Sequence, residues 1–411
     1  MSAVAGSAPD SLRGRRRLWV HAAVFVLALA ARLAFQTGVV GLATPPRDDA
    51  LLYDSIATRL TQGGPYVDAE GYRSRRAPGF PILLAGVYSL VGHSWPAARV
   101  TQAVVGALTC SVLLTLGSSW LGARIGVTAA LACAVYPHAI LWTGSLVSEP
   151  LCALLTTATI AALTRARDSL RWTAGWSCLS ALATLTRPNM GFLLPLGLLW
   201  LLGVPGRRWL RTAVALVVFC LVLLPWGVRN YRVHGRFVPL TTMGGLVLWE
   251  GNNAIVAADP GLRGRFLPGG RERDEAVSRL PETEQDRVYF ERALHYMRTS
   301  PGDMPALVGS KLLRLWNPFP ELDSALQRWL APLAFLPVLG LFAAGLFLAI
   351  RCRDGRILPL LAPVLAVTLT AAIYWADGRI RSPADPVILL VASYGLWGVL
   401  DRFQPSRRVP A

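Results

Sequence analysis

The chain is 411 residues long, 53% hydrophobic and 16% charged, with a formal net charge of +17 and a mean hydropathy of +0.44. That balance excludes an ordinary soluble domain and fits a polytopic membrane protein. The positive charge is arginine, Lys311 being the only lysine among 41 basic residues, which points to a GC-rich genome and not to nucleic-acid binding.

Apolar runs at 18–40, 97–120, 125–137, 140–163, 172–185, 190–204, 209–228, 329–350, 357–375 and 387–400 predict ten transmembrane helices, and so an all-α membrane fold. The run at 81–91 falls well short of the roughly 20 residues needed to span the hydrocarbon core, and reads as juxtamembrane or re-entrant. The first run follows a basic stretch. It is long for a signal-peptide core and lacks a convincing cleavage site, so it reads as a retained anchor. The segment 172–204 reads as a hairpin with Thr186-Arg187-Pro188-Asn189 at its outer tip.

Short cytoplasmic loops keep Lys and Arg while translocated loops shed them. Arg13, Arg15, Arg16 and Arg17 precede the first run; Arg124, then Arg165, Arg167 and Arg171, then Arg207, Arg208 and Arg211, then Arg351, Arg353 and Arg356 fall in alternate loops, and Arg402, Arg407 and Arg408 close the chain. Ten spans put all 17 inside with both termini cytoplasmic, whereas an eleventh at 81–91 would put the later clusters outside. The chain then divides into a basic tail at 1–17, a transmembrane region at 18–228 with a first outer loop at 41–96, an extracytoplasmic region at 229–328, transmembrane helices at 329–401 and a tail at 402–411. From 229 to 327 there are 13 basic and 12 acidic residues, and 287–296 and 306–315 have amphipathic helical spacing, which predicts a small, mainly helical cap.

With that topology, eight acids outside the long loop lie at or near the outer surface: Asp48, Asp49, Asp54, Asp68, Glu70, Glu149, Asp377 and Asp385. Few are left near mid-membrane, where proton- or sodium-coupled transport normally places carboxylates. The adjacent pair Asp48-Asp49 emerges just after the first span, where a helix carrying Leu52, Tyr53, Ile56, Ala57 and Leu60 begins. Capping that helix accounts for one aspartate but not both. Two neighbouring like charges raise the proton affinity of one, which suits a general base.

Asp49-Ala50-Leu51-Leu52-Tyr53, Arg76-Ala77-Pro78-Gly79-Phe80-Pro81, Ser145-Leu146-Val147-Ser148-Glu149-Pro150-Leu151, Pro225-Trp226-Gly227-Val228-Arg229-Asn230-Tyr231 and Arg379-Ile380-Arg381-Ser382-Pro383 together resemble the GT-C superfamily of membrane glycosyltransferases. The nearest likeness is to the bacterial branch related to protein O-mannosyltransferases and lipid A aminoarabinose transferases. The resemblance implies a multi-pass protein of a bacterial plasma (inner) membrane. Its implied activity is transfer of a hexosyl or pentosyl group, with inversion, from a polyprenyl-phosphate-linked donor to a lipid, glycan or protein acceptor at the extracytoplasmic face. It also implies a catalytic aspartate in the first outer loop. The family's spacing to Tyr53 selects Asp49, and a one-residue shift of the acidic pair leaves Asp48 open.

That chemistry needs a base for the acceptor hydroxyl and fixed cations for the leaving phosphate. Tyr53, Arg75, Arg76, Arg187, Arg229, Arg379 and Arg381 are the candidates for the outer rim, where guanidinium pairs phosphate bidentately. An interfacial arginine also serves simply as an anchor, so only one or two of these are expected to touch phosphate. Glu149 in Ser-Glu-Pro fits both a helix start and a role in binding sugar or acceptor. His138 and His295 lack partners at metal-ligand spacing, and the six cysteines form neither a disulfide scaffold nor a metal motif. No metal or cofactor is therefore predicted, although some relatives use divalent ions. A flippase or transporter of lipid-linked glycans is the alternative function; a noncatalytic scaffold is a third.

Overall fold

The structure, a computed structural model, describes residues 10–267, 274–319 and 325–403. Residues 1–9 and 404–411 of the expected tails, with Arg407 and Arg408, and 268–273 and 320–324 of the long loop lie outside them. All regular structure among the described residues is helical. The chain runs through α1 (Asp10–Phe35), α2 (Asp49–Thr61), α3 (Gly79–Val91), α4 (Trp95–Trp120), α5 (Ala123–Val135), α6 (Pro137–Gly144), α7 (Glu149–Ala166), α8 (Leu170–Thr186), α9 (Leu193–Leu202) and α10 (Arg208–His234). It continues with α11 (Gly244–Gly251), α12 (Ala254–Ala258), α13 (Glu275–Ser278), α14 (Glu282–Thr299), α15 (Met304–Leu315), α16 (Ala325–Cys352), α17 (Leu361–Ile373), α18 (Gly378–Arg381) and α19 (Asp385–Phe403).

Among the described residues six helices are long and apolar enough to cross a membrane, and each coincides with a predicted span: Arg17–Val40, Trp95–Trp120, Arg208–His234, Arg328–Cys352, Gly355–Ile373 and Gly378–Arg402. The other four predicted spans do not correspond to single helices of that length and hydropathy. α5 and α6 form one apolar unit bent by 47°. The bend falls at Tyr136, whose backbone is extended (φ −69°, ψ 116°) because the ring of Pro137 disfavours helical geometry in the residue before it. The run 140–163 is split as well. Its first part belongs to α6, the chain leaves the helix over 145–148, and α7 restarts at Glu149 with Pro150 in its first turn, where a missing N–H costs nothing. The runs at 172–185 and 190–204 become α8 and the short α9, separated by a tight 3-10 turn at Pro188–Phe192, so the break falls at the expected hairpin tip.

One apolar core runs from α1 through α4, α5, α7, α8 and α9 to α16, α17 and α19. Lipid offers helices little hydrophobic drive to associate, so close approach by small residues supplies the packing. A side chain on Gly345 of α16 would overlap the backbone of Val391 on α19, and one on Gly395 of α19 would overlap Leu341 and Gly345. The first loop forms two helices, with α3 packed on α2, α4 and α8. In the 229–328 region α14 and α15 cover the two amphipathic stretches and enclose small cores of Leu246, Val277 and Tyr289, and of Val256, Leu267 and Leu307.

Gly395→Ala is expected to cost about 1–3 kcal/mol by overpacking. It should lower the thermal unfolding midpoint in detergent, whereas Gly175→Ala in α8, where nothing lies within 4 Å, should not.

Candidate active site

Five chain segments meet at one end of the bundle: the start of α2, the turn before α3, the start of α7, the turn after α8, and α18. Each has a local reason to stop there. Pro78 and Gly79 open α3, and a side chain on Gly79 would overlap Thr186 at the end of α8, so the two ends abut. Asp377 caps α18 by accepting a hydrogen bond from the Ile380 amide at 3.1 Å, which fixes Arg379 in the first turn.

The aspartate pair divides. Asp48 sits just before α2 with φ of +50°, a left-handed conformation that non-glycine residues seldom adopt. It is exposed and its side chain makes no capping bond, so the capping reading of the pair does not hold. Asp49 instead lies within a network. Its Oδ1 pairs with Arg76 Nη2 at 2.8 Å, and its Oδ2 accepts from Arg379 Nη1 at 2.8 Å. The Arg379 Nε donates to Glu149 Oε1, which also accepts from Arg187 Nη1 at 2.5 Å. Aromatic rings lie under two of these cations: Trp142 is 5.5 Å from the Arg379 guanidinium and Tyr53 is 5.8 Å from that of Arg76. Tyr53 in turn packs edge-on against Phe80.

Burial by itself would raise the Asp49 carboxyl, but Arg76 and Arg379 outweigh it and hold the group below the usual aspartate range. Three guanidiniums against two carboxylates leave the cluster with one surplus positive charge, which suits an incoming anion. Among the described residues, no group of three or more His, Cys, Asp or Glu side chains could hold a metal ion.

Asp49, Tyr53, Arg76, Glu149, Arg187 and Arg379 are thus brought together, while the other three predicted arginines are engaged elsewhere. Arg75 pairs with Glu70 and lies 3.2 Å over the Tyr72 ring. Arg229 clamps the first loop, donating to Arg73 O and Ser74 Oγ at 2.7 Å and to Tyr66 O at 2.9 Å. Arg381 is buried, donating to Asp385 Oδ1 and Leu315 O at 3.0 Å and lying over Phe335.

Two supports were not visible in the sequence. His138 contacts Asp385 Oδ2 through Nδ1 at 2.5 Å, and its Nε2 accepts from Trp142 Nε1 at 3.1 Å, which fixes the indole under Arg379. Arg99 donates to Leu42 O, Thr44 O and Gly144 O, and Gln36 donates to Arg99 O and Thr143 O, which anchors the chain between α1 and the aspartates. His138 and Asp385 stand 247 positions apart, and Arg99 binds only backbone carbonyls, so neither leaves a motif.

The solved structures supply the wider context. The archaeal oligosaccharyltransferase AglB of Archaeoglobus fulgidus, in complex with an inhibitory peptide and a dolichol-phosphate, superposes with a TM-score of 0.59 at 14% identity, covering 95% of this chain and 51% of that one. The chain has the GT-C fold. The A. fulgidus oligosaccharyltransferase tethered to an acceptor peptide gives the same TM-score of 0.59 at 16% identity, over 94% of this chain and 50% of the other. The chain therefore spans about half the length of these oligosaccharyltransferases. ArnT of Cupriavidus metallidurans bound to undecaprenyl phosphate matches with a TM-score of 0.46 at 16% identity, over 94% and 80% of the two chains. Residues 75–228 match the dolichyl-phosphate-mannose-protein mannosyltransferase family, a stretch that runs from Arg75 to the end of the predicted seventh span. No curated protein matches the sequence significantly.

Within this GT-C fold the Asp49 pairs have a defined acid signature. A carboxyl held below its usual value stabilises the fold fully above the ordinary aspartate pKa of 3.8, and that contribution is lost as pH falls through the lower folded value. The difference in unfolding midpoint between wild type and Asp49→Asn should stay constant above about pH 5 and shrink below about pH 4.

Proposed function

We propose that the chain is a membrane glycosyltransferase that moves a sugar from a polyprenyl-phosphate donor to an acceptor hydroxyl at the extracytoplasmic face, with inversion. The observation that carries this reading is the position of Asp49 between Arg76 and Arg379, in a cluster with surplus positive charge. Two comparisons support it: AglB, which shares the fold, was solved with a dolichol-phosphate, and the family matched by residues 75–228 is described as using dolichyl-phosphate-mannose. The arginine clusters support that face, since on the ten-span reading they lie, with both termini, on the cytoplasmic side of a bacterial inner membrane.

The geometry gives each residue a task. The donor phosphodiester competes with Asp49 for Arg76 and Arg379, because its two non-bridging oxygens share one negative charge that guanidinium pairs well, and the polyprenyl phosphate gains a second charge as it leaves. Asp49, released from its pairs, accepts the proton of the acceptor hydroxyl. The hydroxyl oxygen attacks the anomeric carbon on the side opposite the phosphate, the bond from that carbon to the phosphate oxygen breaks, and the lipid phosphate leaves with the electron pair, neutralised by the arginines. Glu149 keeps Arg187 and Arg379 aimed through the change, and Trp142 supports Arg379 from beneath. Asp49 is the base in this reading, and exposed Asp48 precedes it at the start of α2, contributing its backbone carbonyl but no side-chain bond.

Loss of a general base commonly costs about 10²–10⁴-fold. Asp49→Asn should lower kcat by that much in transfer of radiolabelled sugar by purified protein, while Asp48→Asn should cost less than about tenfold. Unchanged transfer by Asp49→Asn would remove the mechanism. Product formed in detergent, where no compartments exist, separates transfer from transport. Arg379→Lys should raise the donor KM and lower kcat together, because a single ammonium cannot bridge Asp49 and Glu149 as the guanidinium does.

A further inference from the structure

Lys311, the only lysine among 41 basic residues, is fully buried in α15 of the 229–328 region. Its Nζ donates to Asn252 Oδ1 at 2.7 Å and to Ile373 O at 3.4 Å, and among the described residues no carboxylate pairs with it. Burial pushes the amine down to about 8, so the charge is kept at a cost. Methionine would fill the same space without that cost, so packing alone does not account for a lysine here.

Its two partners lie where the outer region meets the transmembrane helices. Ile373 is the last residue of α17, so its carbonyl belongs to the negative end of the helix dipole and is one that helix geometry leaves without a partner. Asn252 completes the grip, its Nδ2 donating to the same carbonyl at 2.9 Å. A compact ammonium suits two converging oxygens better than the broad, planar guanidinium that the chain uses at its other basic positions.

The grip sits six residues before Arg379, and the intervening chain is held from the same helix. A side chain on Gly251, next to Asn252, would overlap the Tyr374 carbonyl, so the outer region presses directly on the residue after Ile373. The Ala376 amide donates to Gly264 O at 2.9 Å. The 261–264 turn is itself bound to α15, because Arg314 donates to Arg263 O at 2.7 Å and to Gly261 O at 3.0 Å. Past Arg379, Arg381 Nη1 donates to Leu315 O at 3.0 Å. Lys311, Arg314 and Leu315 share one face of α15 at i, i+3 and i+4, so a single helix fixes both ends of 373–381. We propose that Lys311 is a positioning residue for sugar transfer: with Asn252 it grips the end of α17 and so holds the segment carrying Arg379 in register with Asp49 and Glu149. This rests on the glycosyl-transfer reading and adds to it a residue outside the ion-pair cluster.

The test uses the full chain in nanodiscs. Lys311→Met should lower kcat/KM for a polyprenyl-phosphate sugar at least about fivefold, since a misplacement of about 1 Å costs up to about 10²-fold. The donor KM should rise while the acceptor KM stays unchanged. The unfolding midpoint should remain within about 4 °C of wild type, which separates the loss from general damage to the fold. The deciding readout is a double-mutant cycle with Arg379→Lys on the Kd for polyprenyl phosphate. If Lys311 acts through Arg379, Lys311→Met weakens binding at least about fivefold in the wild type and less than about twofold in Arg379→Lys. Equal losses in both backgrounds, or no loss in either, overturn the inference and leave the transferase reading standing. Should Lys311→Met not fold, Lys311→Gln, which keeps a donor without the charge, enters the same cycle and should lose at least about threefold in the wild type alone. Absence of transfer by the wild type overturns the transferase reading, and the inference with it.

Discussion

The arrangement of this end of the bundle depends on Arg379, whose guanidinium joins two carboxylates from distant parts of the chain, Asp49 at the start of α2 and Glu149 at the start of α7. Burying a carboxylate such as Glu149 in a greasy bundle is costly unless its charge is met, and two arginines meet it at a single oxygen. That satisfaction is incomplete in a useful way. The second Glu149 oxygen has no hydrogen-bond partner, and the cluster keeps a surplus positive charge. A network that only stabilised the fold would gain by closing both gaps.

Several layers of packing hold Arg379 in place. Asp377 caps its short helix, Trp142 lies beneath its guanidinium, and His138 and Asp385 hold Trp142. Arg99 and Gln36 fasten the chain that leads to Asp49 by binding carbonyls of the loop and of α6. In the proposed reaction this rigidity matters more than any single contact, because the base and the phosphate-binding cations have to stay registered across five separate segments.

Much of this was legible in the sequence, and the remainder was hidden for identifiable reasons. Hydropathy located the six long apolar helices, because a run of some 20 apolar residues has few other uses. It misread 140–163, where a short polar break at 145–148 and a proline redirect the chain inside an otherwise apolar stretch. Of the predicted site residues, Asp49, Glu149 and Arg379 sit in the first turns of α2, α7 and α18, Arg76 and Arg187 in the turns beside α3 and α8, and Tyr53 one turn into α2 beneath Arg76, and their ion pairs draw them together. Arg75 and Arg76 are neighbours with identical composition cues, yet one faces Tyr72 and Glu70 and the other faces Asp49. Only the loop's three-dimensional course separates them. Arg229 and Arg381 carry equally suitable chemistry and are consumed by carbonyls and by Asp385.

The most direct measurement is a structure of the protein in a lipid nanodisc with a polyprenyl phosphate bound. If the cluster is the donor site, the phosphate will lie against Arg76 and Arg379, and the Asp49 carboxylate will be freed from at least one of its present partners and open to an acceptor. A phosphate bound elsewhere, with Asp49 still paired to both arginines, would contradict it.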